Sequence, residues 1–313
     1  MKFILSKLLS MGAVLLIVAF LVFVMIRFSP GDPAAILAGD NATAQQIQSI
    51  RESLRLDDPL PLQFGHWFSR VVSGDFGTSI FSGEPVLDMI LKRVGPTLSL
   101  TLLTMGFAIV VAVILGVIAA ARAGRPTDRL VMIFSVVGFS VPGFVTAYLL
   151  IYVLSVRLGW FPVQGYTPLS EGIGPWLHAL ILPALVLSLT YIALIARITR
   201  ATMLEVLSED YIRTARAKGV APNTVLYGHA LQNAGVPIVT IIGLGFSMLI
   251  GGVVITETVF NIPGIGRLVI DAITKRDYPI IQGITLMLSA VYVLVNLMVD
   301  LSYGLIDPRT RKS

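Results

Sequence analysis

Cysteine is absent from the 313 residues, and histidine occurs only three times. No disulfide, thiolate nucleophile or cysteine-ligated metal is therefore available. His66, His178 and His229 lie in three separate segments, without paired-histidine spacing, and each reads as a surface or capping residue. Charge is scarce as well, at 13% of the chain against 55% hydrophobic residues. A soluble domain is about a quarter charged, so the surface of a globule this size could not be covered, and a soluble enzyme is not expected. Disorder is excluded too, because it needs low hydrophobicity and high charge. H-E-x-x-H, G-x-S-x-G and G-x-x-x-x-G-K-[ST] do not occur. No catalytic residue and no metal ligand is assigned, and the chain is not expected to bind ATP through a P-loop.

Long apolar runs are abundant. A membrane helix needs about 20 mostly apolar residues, and six stretches qualify: Leu8–Ile26, Thr97–Ala121, Leu130–Val156, Leu177–Ala196, Val236–Val259 and Ile281–Tyr303. The first reads as an uncleaved anchor. It is longer than the roughly 7–15 residues of a signal-peptide core, no A-x-A site closes it, and Pro30-Gly31-Asp32-Pro33 follows. The fold class is an all-α integral membrane protein with six transmembrane helices. The expected organisation is an N-terminal tail with the first span (1–28), an extracytoplasmic segment (29–95), a five-helix core (96–303) containing a cytoplasmic loop (197–235), and a C-terminal tail (304–313).

Orientation follows from Lys and Arg placement. With both termini cytoplasmic, the inner segments hold thirteen bases and five acids, and the outer ones nine bases and eleven acids. The basic balance of the chain is thus a topology signal, and nucleic acid is not an expected partner.

The outer segment carries two amphipathic patterns. Thr43-Ala44-Gln45-Gln46 has capping-box spacing, and Ile47, Ile50 and Leu54 then share a helical face that Asp57-Asp58-Pro59 closes. Phe64, Trp67, Phe68, Val71 and Val72 form a second stripe at helical spacing. The pair fits either packing on the rim of the membrane domain or a docking surface for a delivered substrate. In the inner loop, Ser208 is placed to cap a helix of about ten residues, roughly 15 Å long. Glu209 and Asp210 sit in its first turn, Arg216 and Lys218 in its last, and Gly219 follows. That order of charge suits the helix dipole, and the glycine suits a left-handed C-cap.

Within the spans, Ala108, Ala112, Gly116 and Ala120, and likewise Gly243, Ser247 and Gly251, recur every four residues. Such rows read as helix-packing seams. Gly138, Ser140, Pro142 and Gly143 interrupt the third span; this is either a proline kink or a broken helix lining a cavity. Ionisable groups inside the spans are nearly missing. Glu257 and Asp300 stand near span ends, wet or paired, and no charged relay crosses the bilayer. That disfavours a proton-driven carrier.

The loop Ser208-Glu209-Asp210-Tyr211-Ile212-Arg213-Thr214-Ala215-Arg216-Ala217-Lys218-Gly219 is similar to the "EAA" motif of ABC importer permeases. The motif opens Glu-Ala-Ala, then three residues, then Gly; here Arg213, Thr214 and Ala215 lead and Gly219 is the glycine. His229-Ala230-Leu231-Gln232 stands where the general motif has Ile-x-Leu-Pro. Both departures are familiar in the peptide branch. Pro30-Gly31-Asp32-Pro33, Gly74-Asp75-Phe76-Gly77-Thr78-Ser79, Glu257-Thr258-Val259-Phe260 running on to Pro263-Gly264-Ile265-Gly266, and Asp307-Pro308-Arg309 follow the same order as in that branch. Over its whole length the sequence resembles the B-type permease subunits of bacterial ABC importers in the dipeptide/oligopeptide/nickel family.

The resemblance implies the type I ABC importer permease fold in the bacterial cytoplasmic (inner) membrane, and transport of di- or oligopeptides or a similar small solute by alternating access. It implies a related C-type permease, two cytoplasmic P-loop ATPases that use ATP and Mg, and an extracytoplasmic substrate-binding protein as partners. By the same resemblance, no cofactor is expected to be bound by this chain itself. Glu209, Asp210, Arg213, Thr214, Ala215, Arg216, Ala217, Lys218 and Gly219 then form the ATPase-coupling helix. Ser140, Pro142 and Gly143 are candidates for the translocation path. Trp67, Phe68, Phe260 and Pro263 are candidates for docking the binding protein. A secondary carrier or channel working without ATPases is the alternative function.

Overall fold

The computed structural model describes residues 2–27, 34, 43–53 and 57–306. Pro30-Gly31-Asp32-Pro33 and Asp307-Pro308-Arg309 lie outside the described residues. Twelve α-helices are named here: α1 (Lys2–Arg27), α2 (Ala44–Ser53), α3 (Leu60–Val72), α4 (Val86–Ala121), α5 (Pro126–Ser140), α6 (Gly143–Leu150), α7 (Ile173–Leu207), α8 (Asp210–Ala217), α9 (Leu231–Asn233), α10 (Gly235–Val259), α11 (Ile265–Lys275) and α12 (Tyr278–Ile306). π-Helical turns extend α6 over Ile151–Arg157 and precede α9 over Thr224–Ala230. The chain forms two compact units, Met1–Val94 with Leu268–Val293, and Gly95–Arg267 with Leu294–Ser313.

The chain is an all-helical membrane protein. Val86–Ala121, Ile173–Leu207 and Tyr278–Tyr303 are long and apolar enough to cross a bilayer. Two bent pairs qualify jointly: Pro126–Ser140 with Gly143–Arg157, bent by 103°, and Thr224–Asn233 with Gly235–Leu249, bent by 61°. Counting each pair as one span gives five, and the apolar stretch Leu9–Met25 of α1 is shorter. Five of the six expected runs fall inside single helices, most of which outrun them, whereas the third, Leu130–Val156, is broken at Val141–Pro142. The fourth run, placed at Leu177–Ala196, belongs to a 35-residue helix. Arg197 and Arg200, expected in a loop, therefore stand on its last turns.

In the smaller unit, α2 starts as its capping box requires. The Gln46 amide donates to Thr43 Oγ1 at 3.3 Å, and the Thr43 amide donates to Gln46 Oε1 at 2.8 Å. The aromatic stripe of α3 faces α1. Phe64 meets the edges of Phe20 and Phe23 at 5.6 and 5.3 Å, and Trp67 lies 5.5 Å from Phe23. The Gly74–Ser79 segment turns through left-handed glycines at positions 74 and 77. Arg70 donates to Asp75 at 2.8 Å, and the Gly77 amide donates to the same carboxylate at 2.9 Å. The Arg70 bond, then the Gly77 bond, hold that carboxyl below its usual range. Ser79 then donates to buried Asp277 at 2.6 Å.

The larger unit is built around α7. The most apolar window of α7 is 72% buried, against 39% for α4 and 17% for α12. Its core joins Leu100, Met105, Ala108 and Ala112 of α4, Ala147 of α6, Leu180 to Ala196 of α7 and Leu249 and Val253 of α10. The α4 seam is real: a Cβ on Gly116 would lie 2.6 Å from Thr199 Cβ and 2.8 Å from the Ala196 carbonyl oxygen. On α10 the seam is partial. Gly243 is pressed against Val299 of α12, whereas Gly251 meets nothing within 4 Å.

These contacts set a matched pair of substitutions. Gly116→Val collides with backbone and is expected to cost about 1–3 kcal/mol by overpacking. Gly251→Ala meets open space and gains helix propensity, so stability should hold or rise slightly. Thermal melts of the two purified variants in one detergent decide it: equal melting temperatures would refute the seam.

Candidate functional site

The helix α8 is eight residues long, not ten. Ser208 does not cap it. The Ser208 hydroxyl turns back to the Glu205 carbonyl at 2.6 Å, and Ser208 terminates α7. With so short a connection between the helices, the free carbonyls of α7 claim the hydroxyl. Glu209 is the extended residue before α8 and makes no side-chain cap bond. Asp210 pairs with Arg213; both are solvated, so the pair contributes little. The Thr214 hydroxyl bonds to the Asp210 carbonyl at 3.0 Å.

The C-terminus of α8 is closed as expected. Gly219 has φ +80°. Its amide donates to the Arg216 carbonyl at 3.0 Å, and the Val220 amide donates to the Ala215 carbonyl at 3.2 Å. Those two bonds are a Schellman cap, which needs a left-handed residue where Gly219 stands. A Cβ on Gly219 would meet nothing within 4 Å, so the glycine answers to backbone conformation.

Ile212 is the anchor of α8 and is fully buried. It sits with Val117 and Ala120 of α4, Met203 of α7, and Val225, Ala230, Ala234 and Ile238. Among the nine residues expected to couple, Glu209, Asp210, Arg213, Thr214, Arg216, Ala217, Lys218 and Gly219 are exposed, and Ala215 is half-buried beside the anchor. Partial burial pushes the Tyr211 phenol above its ordinary range; the Glu209 charge adds to this, and a bond with Asn233 opposes it. The arrangement is a short polar helix held by one apolar side chain on the ends of α4 and α7.

Ser140 is the last residue of α5, Pro142 precedes α6 and Gly143 opens it. All three are exposed. The 103° bend is far beyond a proline kink, so the helix is broken here. Gly138, just before the break, lies against α7, where a Cβ would be 3.3 Å from the Leu189 carbonyl oxygen.

The other named residues differ in burial. Trp67 and Phe68 are half-buried on α3. Phe260 is 2% exposed and belongs to the core, whereas Pro263 is exposed. The Gly165 amide donates to the Phe260 carbonyl at 2.9 Å, tying the segment after α6 to the end of α10.

Three polar ties escaped the sequence reading. The Asp128 carboxylate takes both Nε and Nη2 of Arg200, the latter at 2.7 Å, and the Gly124 amide at 2.9 Å. Ser79 and Asp277 are described above. The third is Glu257, which is fully buried rather than wet. Thr97 donates to its Oε1 at 2.5 Å and the Arg267 amide to its Oε2 at 3.1 Å, while Thr97 accepts from the Ile265 amide at 2.8 Å. The carboxylate thus lies on the N-terminus of α11, where negative charge is favoured. The glycines of Pro263-Gly264-Ile265-Gly266 make room for it: a Cβ on Gly264 would be 2.0 Å from its Oε1, and one on Gly266 would be 2.5 Å from Val254 Cα. The motif carried the signal for this cradle, but its partner Thr97 is remote in sequence.

The fold is that of an ABC transporter permease. A chain of the MetNI methionine ABC transporter in an inward-facing crystal form superposes with a TM-score of 0.55 at 18% identity, covering 70% of this chain and 96% of that one. The family described as "Binding-protein-dependent transport system inner membrane component" matches residues 112–312, and its N-terminal companion family matches residues 1–101. The chain belongs to this family and is a membrane-spanning permease subunit of an ABC importer. A probable peptide ABC transporter permease, y4tP of Sinorhizobium fredii, is 56% identical over 309 residues, covering 99% of each chain. The glutathione transport system permease GsiC of Escherichia coli K12 is 45% identical over 311 residues, again covering 99% of each.

The cradle generates a prediction. Glu257→Gln keeps the volume but retains only one of two buried acceptor oxygens, so a loss of about 1–3 kcal/mol is expected. Gly264→Ala, which displaces the carboxylate, should lower stability in the same range. Melting of the purified variants checks both, and a Glu257→Gln chain that melts with the parent would contradict the cradle.

Proposed function

We propose that this chain is the B-type permease of an importer for di- or oligopeptides or a glutathione-like peptide, and that α8 is its ATPase-coupling helix. The likeness to a peptide and to a glutathione permease over nearly the full chain supports the substrate class. The geometry of α8 supports the coupling role and carries the reading. Its polar face is exposed, one side chain anchors it, and a rigid cap ends it. In this reading six spans place both termini in the cytoplasm. A related C-type permease completes the path, with Ser140, Pro142 and Gly143 at the break lining this chain's share. Two P-loop ATPases supply the ATP and Mg chemistry, so this chain is not an enzyme. A binding protein delivers the solute to the outer surface, with Trp67, Phe68 and the exposed Pro263 among the residues positioned to meet it. ATP binding and the loaded binding protein shift a two-state equilibrium between inward and outward openings.

The first test is recovery of the chain from its native membrane in mild detergent. Two P-loop ATPases and a second permease should accompany it, and uptake should follow ATP rather than ion gradients. A chain recovered alone, with uptake tracking an ion gradient, would move the function to a secondary carrier.

Gly219 separates two requirements. A β-branched residue at φ +80° costs about 1–2 kcal/mol locally, whereas asparagine tolerates that region. Gly219→Val should insert normally and lose most coupled uptake, and Gly219→Asn should keep a larger share. Normal uptake by Gly219→Val would defeat the coupling assignment.

A further inference from the structure

We infer that the Asp128–Arg200 pair is a positioning element for coupling: it fastens the broken helix α5 to α7, so that a displacement of α8 reaches the break beside Pro142. This rests on α8 being the coupling helix. The path is short and continuous. The helix α7 runs unbroken to Leu207, and only Ser208 and Glu209 separate it from α8. Ile212 of α8 packs in one cluster with Met203 of α7, so the end of α7 and the helix α8 share a foundation. Arg200 lies about 10 Å before that end at 1.5 Å per residue.

At this point α7 grips α5. The Asp128 side chain is 4% exposed and that of Arg200 is 24% exposed. The contact is a two-pronged fork, which fixes direction as well as distance. The Gly124 amide adds a third donor at 2.9 Å and brings the chain before α5 into the same grip. Asp128 is in the first turn of α5, where its charge also suits the helix N-terminus. The other end of α5 is held differently: Gly138 lies close to the α7 backbone at Leu189. The helix α5 is thus tied to α7 by a polar clamp at its start and close packing at its end, and the 103° turn follows immediately. The desolvation cost of a buried ion pair offsets much of its attraction, so the pair is poorly explained as a source of stability alone. Its fork geometry and its place between α8 and the break explain it as a positional lock.

The test uses the complete importer, with partner permease, ATPases and binding protein, in proteoliposomes. Uptake of labelled glutathione and of a defined dipeptide mixture is measured together with ATP hydrolysed. Asp128→Asn, Arg200→Gln and the double variant form a cycle. Each single variant should still co-purify with the ATPases and hydrolyse ATP, while solute moved per ATP falls about ten-fold, within the usual span of coupling effects. The double variant should be no worse than either single one, because both remove one interaction. An unchanged ratio in the single variants, or losses that multiply in the double, overturns the clamp. Should the variants fail to assemble, spin labels at exposed Leu130 and Ala201 of the otherwise unaltered chain decide the matter. A distance that stays constant on ATP binding supports the clamp, and a shift of several ångströms overturns it. A parent complex lacking ATPases would sink the coupling-helix reading itself. A parent that couples alongside variants that also couple would sink only the clamp.

Discussion

The larger unit depends on how closely α4 and α5 can approach α7. Between helices in lipid, apolar burial offers no net drive, because lipid tails are as apolar as leucine. Association must come from close packing and polar contact. Gly116 and Gly138 provide the first, since a methyl group at either would press on the α7 backbone. The Asp128–Arg200 fork provides the second. The heavy burial of α7 follows from this, and so does the placement of α8, whose anchor sits where α4 and α7 end together.

The chain keeps few carboxylates inside, and it treats three of them alike. Asp128 lies in the first turn of α5, Asp277 directly before α12, and Glu257 against the start of α11. Each therefore meets a helix N-terminus, where backbone amides and the dipole favour negative charge. Each also has a side-chain donor: Arg200, Ser79 and Thr97 respectively. Each of these buried carboxylates fastens one segment to another.

What could be read from the sequence was mostly local. The apolar runs, the Thr43–Gln46 box, the aromatic stripe of α3 and the left-handed Gly219 each depend on residues within a few positions of one another. Ser208 was misassigned because two helix ends compete for one hydroxyl, and the sequence does not say which carbonyls are nearer. Size was also invisible in the break at Pro142: Gly, Ser and Pro announce an interruption, whereas the angle depends on what α7 presents to α5. The fastenings were hidden for a simpler reason. Asp128 and Arg200 are 72 positions apart, Thr97 and Glu257 160, and Ser79 and Asp277 198. At such separations only the fold brings the partners together. For the candidate site, the polar face of α8 was legible, but the buried Ile212 that anchors α8 was not among the residues singled out.

The shortness of α8 carries its own mechanical consequence. Eight residues are too few to hold a helix in water without help, so α8 owes its form to its cap and to Ile212. A helix stabilised in that way has no independent freedom to rock: to move it is to move what Ile212 is packed against. Force applied by a partner at the exposed face would therefore pass to Met203 on α7 and to Val117 and Ala120 on α4 together. Because α7 also holds α5 through the Asp128–Arg200 fork, such a load would reach the broken span as well.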